Sequence, residues 1–123
     1  MRSINSLDEL KIPIRHRIYL KHLMDYLSAY PAVEKVFLFG SCAKGEAQPN
    51  SDIDIYLLGT NISDEDEWDI VWNCPKWEGV DYIPCDILSG TFESYEKKAK
   101  DPGMIQCAID MMGVDISGLL QTC

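Results

Sequence analysis

Apolar positions change their period along this chain, and each change marks an element. Ile14, Ile18, Leu20, Leu23, Met24 and Leu27 recur at helical spacing and predict the apolar stripe of a helix. Pro13 suits the first turn of that helix, where a missing N–H costs nothing, and Pro31 bounds its far end. Val33 to Phe39 is rich in β-branched and aromatic residues and predicts a strand. Asp52 to Leu58 alternates strictly: Ile53, Ile55 and Leu57 face one way, and Asp52, Asp54 and Tyr56 face the other. Between these strands, Gly40 to Ser51 carries Gly, Ser, Pro and Asn and predicts a turn that runs on as a loop.

Further along, Ser63 followed by Asp66 resembles a capping box and predicts a helix to about Asn73. Trp68 and Trp72 lie one turn apart on it and are expected in the core. Pro75 and Gly79 mark a loop. Val80 to Leu88 reads as strand segments interrupted by Pro84, and Phe92–Lys100 and Met104–Met112 as two short helices separated by Asp101-Pro102-Gly103. The tail from Gly113 adds a short extended piece, and residues 1–12 form a polar lead-in. The expected fold class is α/β (α+β): a small mixed β-sheet with helices packed on one face and an open cleft on the other.

Length and charge narrow the picture. At 123 residues the chain is expected to form one domain, 1–123, around a single modest core. Apolar stretches are short and charge-flanked, and Arg2 is followed by polar residues, so neither a membrane span nor a signal peptide is expected and a cytoplasmic location is. The formal net charge of −9 argues against nucleic acid as a partner and suits a basic protein. Five cysteines, Cys42, Cys74, Cys85, Cys107 and Cys123, are odd in number and widely spaced, which predicts reduced thiols and not a zinc site or a disulfide framework. His16 and His22, six apart in the first helix, are expected to be surface or packing residues and not metal ligands.

The candidate chemistry lies at the end of the first strand and along the second. A strand ending in Gly40-Ser41 can present backbone N–H groups and a hydroxyl to an anion, and Gly40 permits close approach of a phosphate. Asp52 and Asp54, projecting from one face, repel each other unless a cation compensates them. Mg²⁺ is bound by such carboxylates together with substrate phosphates, and two such ions can stabilise the attacking and leaving oxygens at phosphorus. A third carboxylate is chemically expected. Asp86 is favoured because it lies in a strand-like segment able to pair beside Asp54, and Asp81 is the rival.

Gly40-Ser41, ten residues, then Asp52-Ile53-Asp54 resembles the signature of the polymerase-β-like nucleotidyltransferase superfamily. The chain looks most like the minimal nucleotidyltransferases, the MNT proteins. The resemblance implies transfer of a nucleoside monophosphate, commonly from ATP or another NTP, to an acceptor hydroxyl. It implies Gly40 and Ser41 around the triphosphate with Lys44 and Ser51 as further contacts, Asp52, Asp54 and Asp86 as catalytic metal ligands, and Mg²⁺, two ions, as cofactor. Many such proteins act as antitoxins of a helical HEPN-family toxin, by adding AMP to it or by binding it.

Two positions depart from the family pattern. Where arginines often follow Gly-Ser, this chain has Cys42 and Lys44. Lys44 can meet a phosphate as a point charge but lacks the bidentate fork of Arg, and Cys42 cannot replace a cation. Larger relatives carry a helical acceptor domain for which this chain has no room. The acceptor is then expected on a partner protein or a second copy. A binding-only antitoxin and a small-molecule, antibiotic-type transferase are the alternatives.

Overall fold

The computed structural model describes residues 1–120, so Cys123 lies outside the described residues. Five strands form one mixed sheet: β1 (Arg2–Ser3), β2 (Lys35–Phe39), β3 (Ile53–Gly59), β4 (Cys85–Thr91) and β5 (Val114–Asp115), in the order β1-β5-β2-β3-β4. β3 runs antiparallel to β2 and parallel to β4. Five helices accompany it: α1 (Ile14–Leu27), α2 (Ser41–Lys44), α3 (Asp64–Trp72), α4 (Phe92–Ala99) and α5 (Ile105–Met112). The expected α/β class and mixed sheet are present.

The alternation in β3 decides which side is core. Ile53, Ile55 and Leu57 are fully buried beneath Leu20, Leu23, Met24 and Leu27 of α1 and Ile70 of α3. Truncating one of these aliphatic side chains to alanine costs roughly 2–5 kcal/mol in a close-packed core. The opposite face is only half covered. There Phe37, Tyr56 and Leu58 pack under Tyr95 of α4 and Ile109 of α5. Beyond Tyr56 the same face continues as Phe39, Asp54 and Asp86, paired side by side across β2, β3 and β4. Helices thus seal one face and one half of the other, and the open cleft shrinks to the carboxylate end.

Several expectations need correction. α1 buries His16, Tyr19, Leu20, Leu23, Met24 and Leu27, while Ile14 and Ile18 are exposed. The stripe is rotated because the polar His16 is drawn inward by a backbone partner. The Gly40–Ser51 segment is not all turn and loop, since its start winds into the single turn of α2. The predicted capping box is formed: Ser63 accepts from the Asp66 N–H, and the Asp66 carboxylate accepts from the Ser63 N–H. Yet Trp68 and Trp72 of that helix are not core; they are 63% and 67% exposed. Ile70 is the buried residue of α3, because the helix lies over the edge strand and has too little sheet beneath it to cover both tryptophans. Residues 80–84 stay outside the sheet, and β4 begins after Pro84, which cannot donate to a ladder. The lead-in supplies the edge strand β1 and buries Ile4, Leu10 and Ile12.

Candidate active site

β2 ends at Phe39, and the chain must then turn sharply into α2. Gly40 makes that turn with φ +74° and ψ −152°, a region L side chains avoid. A Cβ at this position would collide with the Asp54 carboxylate. The glycine turn and the carboxylate are therefore in direct apposition, and the turn can lie so close to Asp54 only because residue 40 has no side chain. The first N–H groups of α2 have no intrahelical acceptor, and they start at Ser41. Lys44 ends α2, exposed, on the rim of a cavity of about 170 Å³ between Phe39, Gly40, Ile105, Ile109 and Met112.

Parallel pairing of β3 with β4 sets Asp54 directly beside Asp86. Asp54 is half-buried and Asp86 exposed. The Asp54 carboxyl is pushed up to about 6 from its usual 3.8, by burial first, then by the proton it can share with Asp86, and then by the charges of Asp86 and Asp52. Among the described residues no cation forms an ion pair with any of the three. Asp52 lies one residue before β3, exposed to solvent, near enough for its charge to act on Asp54. Asp81 sits in the loop before β4, exposed and unpaired with the sheet.

The loops that deliver these carboxylates are held by α1, through contacts no sequence pattern announces. The guanidinium of Arg15 donates to the carbonyl of Pro49 at 3.0 Å and to that of Tyr82 at 3.0 Å. One side chain thus ties together the loop before Asp52 and the loop before Asp86. Buried His16 has Nε2 2.7 Å from the Ser51 carbonyl oxygen, so Nε2 carries a proton and donates it. His16 is a packing residue, as expected. The Ser51 hydroxyl oxygen accepts from the Gln48 N–H at 2.8 Å and so closes the same loop. Ser51 therefore shapes the approach to Asp52, and its hydroxyl keeps a proton to donate.

Cys42 is buried, and its Sγ points to the Asp52 carbonyl oxygen at 3.6 Å. Burial first and the Asp54 charge second raise its thiol to about 11. It stays a thiol at neutral pH and packs beneath the site. Cys74, Cys85 and Cys107 are likewise free thiols, and burial pushes Cys74 and Cys85 up as well.

The donor set decides what cation fits. Among the described residues no three His, Cys, Asp or Glu side chains form a ready-made metal cage. Two adjacent carboxylates with a third nearby suit Mg²⁺, which takes one or two protein carboxylates and completes its shell with phosphates and water. The uncompensated repulsion around Asp54 fits such a hard cation.

Comparison with known proteins agrees with this geometry. Residues 21–76 match the family model for polymerase beta nucleotidyltransferases. That stretch holds Gly40, Ser41, Asp52 and Asp54 and stops short of Asp86. The crystal structure of a putative nucleotidyltransferase from Sulfolobus solfataricus superimposes with a TM-score of 0.50 at 23% identity, over 68% of this chain and 74% of that one. The fold is that of a polymerase-β-like nucleotidyltransferase. No curated protein matches the chain. The family-model match over residues 21–76 supports a nucleotidyltransferase role, and the likeness to the solved structure supports the fold. Among the described residues no helix is long and apolar enough to cross a membrane.

Proposed function

We propose that the protein transfers a nucleoside monophosphate, AMP from ATP, to a hydroxyl on a protein acceptor, the hydroxyl oxygen bonding to the α-phosphorus as the α–β anhydride bond breaks and pyrophosphate leaves. The observation that carries this reading is the row Gly40, Asp54, Asp86: a backbone turn with no Cβ pressed against Asp54, which pairs in turn with Asp86, both carboxylates left uncompensated. Asp54 and Asp86, with Asp52, would hold the divalent metal, which when bound supplies Lewis-acid stabilisation of charge at phosphorus. Because Gly40 has no Cβ, its backbone can approach a phosphate tail bound beside Asp54. The N–H groups at the start of α2 and the Ser41 hydroxyl donate to phosphate oxygens, and Lys44 adds one positive charge. Asp86, exposed on the edge strand, would either complete the metal's shell or accept the proton of the attacking hydroxyl.

The acceptor is proposed to be a helical HEPN-type toxin, with this chain as its antitoxin. Support comes from the net charge of −9, which favours a basic protein over nucleic acid, and from the exposure of Asp86 at the open end of the cleft, where a large acceptor can reach it. A second reading, neutralisation by binding alone, is favoured by Cys42: it is buried and uncharged where the family often places an arginine.

The test is transfer from ATP labelled at the α-phosphate to the co-purified partner. Label on the partner that needs Mg²⁺ and is lost in Asp54→Asn supports the transferase. An unlabelled partner, still neutralised by Asp54→Asn, supports binding alone.

A further inference from the structure

α3 carries an apolar stripe that the fold leaves outside. Trp68, Val71 and Trp72 stand at i, i+3 and i+4 and are 63%, 48% and 67% exposed. The two indoles lean on each other with centroids 5.0 Å apart, so they present one continuous apolar surface. Val71 extends it into a cleft of about 170 Å³ with Pro75, Lys76 and Tyr82, where Lys76 is the one cation against the five carboxylates of α3, and Tyr82 is itself exposed. Exposed aromatic side chains grouped in this way mark interaction surfaces more often than chance exposure does.

Charge identifies the occupant. The helix contains Asp64, Glu65, Asp66, Glu67 and Asp69 and no basic residue. Among the described residues none of these carboxylates takes part in an ion pair. Asp66 has local work, in the capping box. A surface of two tryptophans set among unpaired carboxylates is complementary to apolar side chains interleaved with guanidinium groups, which pair with carboxylates and stack on indole faces. A second copy of this chain is a poor fit, because its own α3 repeats the same negative charge.

We infer that the Trp68–Trp72 face of α3 is the docking surface for a basic, apolar segment of a partner protein, rich in arginine and leucine. α3 covers β4, the edge strand that carries Asp86, from the face of the sheet opposite the carboxylates, so a partner held there docks behind the carboxylate site and reaches it only around that edge. The inference gives the chemistry of the partner that the acceptor reading calls for and rests on that reading for its purpose. Docking is read without nucleotide, so loss of binding and loss of transfer are separate results.

The test uses the full chain and two synthetic helical peptides, one of leucine and arginine and one with glutamate in place of arginine. Tryptophan fluorescence and calorimetry report binding, and sedimentation reports self-association. The wild type should bind the arginine peptide at least about tenfold more tightly than the glutamate peptide, and Trp68→Ser with Trp72→Ser should lose about tenfold, as for aromatic hot spots. Glu65→Lys with Asp69→Lys, at positions on the same helix, should weaken binding comparably with both indoles intact, which keeps the test decisive if the tryptophan variant folds poorly. Equal affinity for both peptides, binding unchanged in both variants, or a wild-type dimer dissolved by the tryptophan substitutions would overturn the inference.

Discussion

Two aspartates on the same sheet meet opposite fates. Asp115 on β5 and Asp54 on β3 are both half-buried. Burial alone would raise Asp115, but the Ser117 hydroxyl and N–H and then the Lys35 ammonium more than offset it, and its carboxyl lies below the usual range. At Asp54 burial acts unopposed, and Asp86 and Asp52 add to it. The protein satisfies one carboxylate completely and leaves the other wanting a cation. Neighbours, and not depth, set the difference. A carboxylate left in this state is a candidate functional group.

The comparison can be broken most severely at the chemistry itself. Asp54→Asn should lower nucleotidyl transfer by at least about a thousandfold, since several kcal/mol of transition-state stabilisation depend on the metal it would hold. Asp115→Asn should leave transfer within a few-fold. Rates measured with labelled ATP check both, and equal losses would erase the contrast. Gly40→Ala comes next. It forces a side chain into positive φ and against Asp54, so it should cost roughly 1–3 kcal/mol in chemical denaturation and abolish nucleotide binding.

Arg15→Ala should follow. It frees the Pro49 and Tyr82 carbonyls and should cost about 1–3 kcal/mol, with a drop in transfer that Arg15→Lys restores only in part. Unchanged transfer in a folded Arg15→Ala would show that the two loops hold themselves.

The smallest effect is the most diagnostic in sign. A folded-state carboxyl raised from 3.8 to about 6 contributes stability below pH 3.8 that is lost as pH rises through about 6. Metal-free Asp54→Asn should therefore be more stable than wild type at pH 7, by about 1 kcal/mol once solvent access to the group is allowed for, and no more stable at pH 3.5. Asp115 has the opposite sign: its contribution is present above pH 3.8 and lost as pH falls through its lowered value, so Asp115→Asn should destabilise at pH 7. Urea titrations at both pH values read the two signs, and a shared sign would refute the contrast.

How far the amino-acid sequence reveals the molecule depends on range. The strict alternation of 53–58 is local, and the residue pattern alone places Asp54 on the face opposite Ile55. The Ser63–Asp66 cap is local too, and it forms as its spacing predicts. A strand-like pattern brings Asp86 toward Asp54, but the register that sets them side by side belongs to the sheet. The tryptophans mislead because two aromatics one turn apart look the same facing a core or facing water; the acidic residues around them are the available clue. Ile14 and Ile18 mislead because His16 takes the buried position. Arg15 and His16 leave no signal, since each grips backbone carbonyls 34 to 67 residues away, and a carbonyl has no sequence identity. α2 is hidden by its length, a single turn.

Binding of Mn²⁺ as a reporter for Mg²⁺, followed by electron paramagnetic resonance at pH 7 with a non-hydrolysable ATP analogue, tests the central claim most directly. The account predicts that wild type binds the ion together with the analogue, that Asp54→Asn and Asp86→Asn each lose it, and that Asp115→Asn keeps it. Ion binding that survives both the Asp54 and the Asp86 substitution would contradict it.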